Sequence, residues 1–339
     1  MADLVTFGEA MIRLSPPNFA RVEQAHSLDL NAGGGEFNVA VAAARCGVSS
    51  AWVSRLTDNP LGKIIVNNAR AQGVDTSSVV WTKGDRVGLY FLEFGASPRA
   101  SSVIYDRAGS AISKIKPGEV DWKKVFKGAK WFHTSGITPA LSATALETTA
   151  QALKAAKEAG ATTSYDLNYR SKLWTEDQAQ AAQEPMMQFV DVLMTTEEDT
   201  KKVFKIKGGA AGDQKKIDVA AYKSVAEQLA AKFKFKTVII TLREDVSVLK
   251  NTWAAICLTG GKFFETPKHS IEIVDRVGGG DSLSGGYIAA KLDGKDDDYA
   301  IKFAVAFSAL QHSFPGDYSW ATKAEAEKLM AGGETRINR

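Results

Sequence analysis

Cysteine is nearly absent: Cys46 and Cys257 are the only two in 339 residues. That excludes a disulfide framework. Both lie in apolar or small-residue runs, so two reduced, buried thiols are expected. Neither sign of charge is in surplus. The 42 basic and 39 acidic residues leave a net charge of +3, and no long basic run concentrates it, which argues against nucleic acid as a partner. No apolar stretch approaches the roughly 20 residues that span a bilayer. The opening MADLVTFGEA has no basic segment followed by an apolar one, so it does not read as a signal peptide. A cytoplasmic protein with no membrane partner is expected. The motifs H-E-x-x-H, C-x-x-C and G-x-S-x-G are missing, and the Gly-Lys pairs at 62–63, 261–262 and 294–295 all fail the P-loop pattern. Metal-hydrolase, zinc-module, serine-hydrolase and P-loop readings therefore have no support. No linker rich in Pro, Gly or Ser and no internal repeat divides the chain, so one domain spanning 1–339 is the simplest organisation.

What is present is alternation. Short apolar runs at 4–9, 51–56, 129–136, 161–168, 191–196 and 236–242 read as strands. Between them, 36–47, 60–73, 142–160, 175–190 and 218–234 read as helices, several closed by glycine. This rhythm predicts an α/β fold: a doubly wound, mostly parallel sheet with helices on both faces. Two stretches break it. Residues 10–32 hold MIRLSPP and a polar segment with no helical pattern. Residues 86–106 look like two strands joined by a turn at Gly95–Pro98. A small β-sheet lid built from insertions at about 10–32 and 86–108 is expected, over a site or at a subunit contact.

Two glycine-rich stretches precede helices. NAGGGEFNVA, 31–40, lacks the third glycine of a dinucleotide fingerprint and has no strand directly before it. DRVGGGDSLSGG, 275–286, sets Gly278, Gly279 and Gly280 before Asp281 at the start of a helix. Free N–H groups at a helix start bind anions, and glycines let an oxyanion approach them. A carboxylate there could take a proton from an alcohol while the amides stabilise phosphoryl oxygens. The alternative is a loop that caps a helix, with Asp281 as an acid of the first turn. On this stretch alone both readings stand.

Together, GGGEFNVA and DRVGGGDSLSGG resemble the two signature regions of the ribokinase-like, PfkB-type carbohydrate kinases, in matching order and separation. GEAMIRLSPP (8–17), YDLNYRSKLW (165–174), TLREDVSVLKNTW (241–253) and HSFPGDYSWAT (312–322) resemble the 2-keto-3-deoxygluconate kinase branch. The resemblance covers essentially the whole chain. It implies a ribokinase-like fold and ATP-dependent phosphorylation of the 6-hydroxyl of 2-keto-3-deoxygluconate with Mg²⁺. A monovalent cation is a further candidate cofactor, and a homo-oligomer through the β lid is expected. Another sugar kinase of this fold, acting on fructose, ribose or 2-keto-3-deoxygalactonate, or a non-catalytic sugar-binding regulator, are the alternatives.

The resemblance also assigns residues. Asp281 matches the catalytic base, and Gly278, Gly279 and Gly280 match the anion hole. Gly34 and Asn38 match the sugar loop. Tyr90 and Tyr105 fall on the insertion strands at sugar-facing parity, or they pack a subunit interface. Asp166 and Asn168 end a strand at the edge where α/β ligands bind. Arg107 and Arg170 match arginines suited to a substrate carboxylate, which a guanidinium can hold bidentately. On the nucleotide side the matches are Thr196, Thr241, Arg243, Ser247, Gly280 and His312, with Asp199 supporting the metal. Thr196 and Asp199 replace the family's usual Asn and Glu, Arg243 and Val246 stand where glycines are common, and Arg276 replaces a small residue.

Overall fold

A computed structural model describes residues 1–208 and 218–333; the ends of the expected 1–339 unit and its 209–217 segment lie outside the described residues. The alternation of apolar strands and helices becomes a nine-stranded sheet. Strands Ser50–Val53, Leu4–Phe7, Trp131–Ser135, Thr162–Asp166, Val192–Thr195 and Thr237–Ser247 lie side by side in that order, all parallel. Lys250–Thr259 continues the sheet antiparallel, and Lys262–Glu265 and His269–Glu272 both pair with it.

Side chains alternate between two cores, as a strand's period of two requires. Phe132, Leu193, Val238 and Ile240 pack on one face, against helices Ala143–Glu158, Glu176–Gln183 and Val219–Phe233. Trp131, Val192, Met194 and Ile239 pack on the other, against Gly35–Arg45, Gly279–Leu292 and Asp297–Gln311. The two-faced, mostly parallel α/β sheet is as the alternation predicts. Each fully buried Leu, Ile, Val or Phe contributes about 1.5–3 kcal/mol.

A second sheet of four strands orders Asp29–Gly33, Met11–Ser15, Leu89–Glu93 and Ser102–Asp106. Both irregular stretches of the sequence supply two strands to it. Its central pair, Met11–Ser15 with Leu89–Glu93, is parallel, and the outer pairings are antiparallel.

Several local readings need correction. A strand, Asp29–Gly33, does lead directly into the 31–40 glycines. The run 51–56 is not one strand: Ser50–Val53 joins the large sheet, while Arg55–Thr57 pairs with Val80–Thr82. The 175–190 helix stops at Gln183, and a 3₁₀ segment, Glu184–Phe189, follows with Pro185 in its first turn, because proline lacks the N–H that would continue the α-helix. Cys257 is buried as expected but Cys46 is only half-buried, because it caps the Gly35–Arg45 helix. Burial pushes both thiols up to about 12, so neither is a ready nucleophile.

Candidate active site

Every residue that the sequence assigns to a site borders one cavity of about 720 Å³. It opens at the C-terminal ends of the parallel strands, beneath the small sheet. Its floor is the start of the Gly279–Leu292 helix. Gly278 caps that helix at φ +78°, and a Cβ there would stand 1.8 Å from the Asp317 carbonyl oxygen. Gly279 is bare because a Cβ would meet the His312 ring at 2.6 Å. Gly280 differs: a Cβ there would meet nothing within 4 Å, since it would project into open cavity. The amides of Gly279, Gly280 and Asp281 have no protein acceptor among the described residues. Open space over unpaired N–H groups at the positive end of a helix is a cradle for an anion.

Asp281 follows in the first turn and borders the cavity. Asn38 donates from Nδ2 to its Oδ2 at 2.7 Å and accepts from the Gly34 amide at 3.3 Å. Asn38 thus steers the carboxylate, and its amide is largely committed to the protein. The contact requires two helices to lie close. Gly285 permits it, because a Cβ there would strike Ala42 at 2.5 Å. Oδ1 has the Gly35 position in front of it, where a side chain would stand 3.7 Å away; glycine leaves that space free. Burial lifts the Asp281 pKa to about 6, the Asn38 bond and nearby Arg170 oppose the rise, and the charge of Asp317 adds to it.

Asp166 ends its strand, and its Oδ1 accepts from the Asn168 amide at 3.0 Å. Asn168 takes φ +38°, a left-handed turn that asparagine tolerates. Burial, with the charges of Asp199 and Asp281, raises Asp166 to about 8, while Arg170 works against the rise. Tyr90 and Tyr105 are register partners on the small sheet, their rings 5.9 Å apart. Tyr90 is buried and Tyr105 reaches the surface. Arg107 is also buried. It pairs with Glu9, whose Oε1 accepts from Ser110 Oγ at 2.6 Å, and its Nε has no partner. Arg170 is exposed; it donates to the Tyr169 carbonyl at 3.0 Å and pairs with no carboxylate among the described residues.

The residues matched to the nucleotide lie along the rest of the rim. Thr196 caps the Glu197–Phe204 helix by accepting from the Asp199 amide at 3.0 Å, so the hydroxyl is a helix cap that also faces the cavity. Asp199 is half-buried, and desolvation raises its pKa against the pull of Arg170. Thr241, Arg243 and Ser247 follow the outgoing strand Thr237–Ser247, where Arg243 lies 3.4 Å from Asp245. His312 lines the cavity and also props the glycine loop. It is 3% exposed, packs on Trp253, and holds the Ser308 carbonyl with Nδ1 at 2.8 Å beneath Gly279. Arg276 donates to the Val248 carbonyl at 2.6 Å, tying the glycine loop to the neighbouring hairpin. Among the described residues, no three acidic, His or Cys side chains converge on a metal position. Asp166 and Asp199 nevertheless suit a magnesium ion that arrives with phosphates, which needs only one or two carboxylates.

Sequence reasoning gave no role to four acidic residues and an arginine that the structure brings to or behind this cavity. Glu9 holds Arg107. Glu36 is buried, accepts from the Ser135 amide at 2.9 Å and from its hydroxyl at 2.7 Å, and burial lifts it to about 7. It anchors the start of the Gly35–Arg45 helix to the end of a central strand. Arg13, Asp275 and Asp317 form a buried ionic group. The sequence offered only Arg13 itself, a charge between Ile12 and Leu14, and nothing that linked it to Asp275 or Asp317.

This is the fold and cleft of a ribokinase-like α/β protein, with an anion cradle and an adjacent carboxylate at the sheet's C-terminal edge. The chain belongs to the pfkB family of carbohydrate kinases, whose model matches residues 1–323. It is similar to the 2-dehydro-3-deoxygalactonokinase of Haloferax volcanii, 40% identical over all of this chain and 99% of the relative. The 2-dehydro-3-deoxygluconokinase of Thermoproteus tenax is 29% identical over 97% of this chain and 94% of its own. Among solved structures, the 2-dehydro-3-deoxygluconokinase of Thermotoga maritima superposes with TM-score 0.92 at 44% identity, covering 97% of this chain and 98% of its own.

Proposed function

We propose that this carbohydrate kinase transfers the terminal phosphoryl group of ATP to the 6-hydroxyl of 2-keto-3-deoxygluconate. The observation that carries the reading is one cavity bordered by a helix start with unpaired amides, a carboxylate beside it, and Arg107 and Arg170. A neutral sugar has nothing to pair with those arginines, whereas a sugar acid does. The similarity to the T. maritima and T. tenax enzymes supports the gluconate epimer. The similarity to the H. volcanii enzyme supports 2-keto-3-deoxygalactonate as a second acceptor, because the two differ by one hydroxyl epimer.

In this reading Arg170 holds the substrate carboxylate, and Arg107, anchored on Glu9, lends its positive charge from the same wall. Asp281 accepts the proton of the attacking hydroxyl on Oδ1 while Asn38 holds Oδ2. The amides of Gly279 and Gly280 offset charge on the transferring phosphoryl oxygens. Asp199, with Asp166 near it, would hold Mg²⁺, which neutralises phosphate charge. Tyr90 and Tyr105 cover the sugar from the small sheet and exclude water. Exposed Leu30 and Ile104 on that sheet support assembly with a second copy.

The deciding assay follows ADP release with 2-keto-3-deoxygluconate, 2-keto-3-deoxygalactonate, fructose, ribose and gluconate in parallel. The keto-deoxy acids should give the highest kcat/KM; a preference for fructose or ribose would overturn the substrate assignment. A second expectation concerns pH. Asp281 must be ionised to accept a proton, so activity is lost as it protonates. kcat/KM should rise with pH through an apparent pKa of about 6 and level off above it, rather than near the value of about 4 for an ordinary aspartate. A profile flat down to pH 5 would contradict the role. Third, two glycine substitutions should separate. Gly280→Ala fills open cavity, so the melting temperature should hold while kcat/KM for ATP falls roughly 10²-fold. Gly278→Ala forces a side chain into a left-handed turn and should destabilise the fold by at least about 1–3 kcal/mol. Melting curves and steady-state rates on both variants check this.

A further inference from the structure

Arg13 sits at the centre of the small sheet, 1% exposed, beside its register partner Tyr90. Its guanidinium reaches two carboxylates: Nη2 lies 2.8 Å from Asp275 Oδ2, and Nη1 lies 3.3 Å from Asp317 Oδ2. The Tyr90 hydroxyl donates to the other oxygen of Asp317. The Phe94 ring packs on the guanidinium at 5.8 Å.

These contacts join two halves of the cavity. Tyr90 and Arg13 belong to the small sheet that covers the sugar. Asp275 and Asp317 belong to the phosphate cradle: Asp275 Oδ1 accepts from the Val277 amide at 3.0 Å and Oδ2 from the Gly316 amide at 3.1 Å. The Asp317 carbonyl is the atom that a Cβ at Gly278 would strike, and its side chain fills the space that glycine leaves at Gly33. The cradle and the cover are therefore wired through one cation. The group is also incomplete. Arg13 Nε is buried without a partner, the 3.3 Å contact of Nη1 with Asp317 Oδ2 is an ion pair that lacks hydrogen-bond geometry, and one positive charge faces two negative ones. As a stability device this is poor, because well-packed apolar residues of similar volume often do as well or better. As a way of fixing one relative position of two elements it is well suited, because a planar guanidinium bridges two carboxylates only in a narrow range of orientations.

We propose that Arg13 is a positioning residue that couples the two substrates: sugar binding under the small sheet sets Tyr90 and Asp317, and through Arg13 and Asp275 this orders the Gly278–Gly280 cradle for the nucleotide. The inference rests on the sugar-acid kinase reading above. It requires that each ligand raise the affinity of the other, since coupling between sites is reciprocal.

The test measures binding of a non-hydrolysable ATP analogue by calorimetry, with and without saturating 2-keto-3-deoxygluconate or its galactonate epimer. In the natural protein the sugar acid should tighten the analogue about fivefold or more. In Arg13→Lys, whose point charge cannot bridge both carboxylates, the factor should fall below about twofold, with each single-ligand affinity kept within about threefold. The charge-balanced double variant Arg13→Met with Asp275→Asn should also lose the coupling; only the coupling factor is read from it, because Asp275 itself holds the Val277 and Gly316 amides, and its melting curve shows whether it is folded if Arg13→Lys is not. A coupling factor that survives in either folded variant overturns the inference. So does its absence in the natural protein when both ligands bind. If neither sugar acid binds the natural protein at all, the proposed function itself falls, and the inference with it.

Discussion

Asp281→Asn should lower kcat about 10³-fold with either keto-deoxy acid, within the range a general base supplies, while the protein stays folded. The geometry makes this substitution unusually clean. An asparagine oxygen can still accept the 2.7 Å bond from Asn38, so the side chain keeps its place. The acid is one whose charge burial disfavours, as its rise to about 6 shows. Removing that charge should leave the melting temperature unchanged or raise it, because an ionised group held in a desolvated site costs stability at neutral pH. ADP-coupled rates beside thermal melting give both readouts. A variant that turned over at near natural speed would remove the base from the account.

The second large effect concerns substrate choice. Arg170→Met should reduce kcat/KM for 2-keto-3-deoxygluconate by roughly 10²–10³-fold, the scale of one lost charged pair in a confined site. Any slow turnover of fructose should be unchanged. Arg170 is exposed and holds no carboxylate of the protein, so the fold should not suffer. Arg107 cannot be treated the same way. Its removal would strand the buried carboxylate of Glu9, left with Ser110 as its hydrogen-bond donor, at a cost of about 3–5 kcal/mol. The fair variant is Arg107→Met with Glu9→Gln, which removes both charges together. Parallel assays of acid and neutral sugars decide the point: equal losses on both would mean that the arginines support the fold rather than read the carboxylate.

The six parallel strands of the large sheet were legible because short, mostly apolar runs alternate with helices, several closed with glycine; the antiparallel strands Lys250–Thr259, Lys262–Glu265 and His269–Glu272 were not, because no helix separates them. The small sheet was legible only in outline. Met11–Ser15 and Asp29–Gly33 carry mixed polarity, with Asp29 and Leu30 exposed, so no apolar alternation marks them. The strand expected to end at 242 runs on to Ser247, because its last residues project beyond the helices and are largely exposed; Val246 is 62% accessible. The glycine run and Asp281 could be singled out because three glycines and an acid at a helix start are contiguous in the sequence. The ionic group around Arg13 could not. Its members come from three separate segments, and only the folded chain shows that Asp317 seats against Gly278. Asn38 was legible as a site residue but not in its manner: its amide serves Asp281 and Gly34, which depends on how closely two helices pack at Gly285.

The most direct measurement is the crystal structure of the protein with ADP, Mg²⁺, aluminium fluoride and 2-keto-3-deoxygluconate. The account predicts the fluoride mimic resting on the amides of Gly279 and Gly280, with the 6-hydroxyl hydrogen-bonded to Asp281 and the carboxylate on Arg170. A mimic lodged elsewhere, or a sugar whose hydroxyl faces away from Asp281, would contradict it.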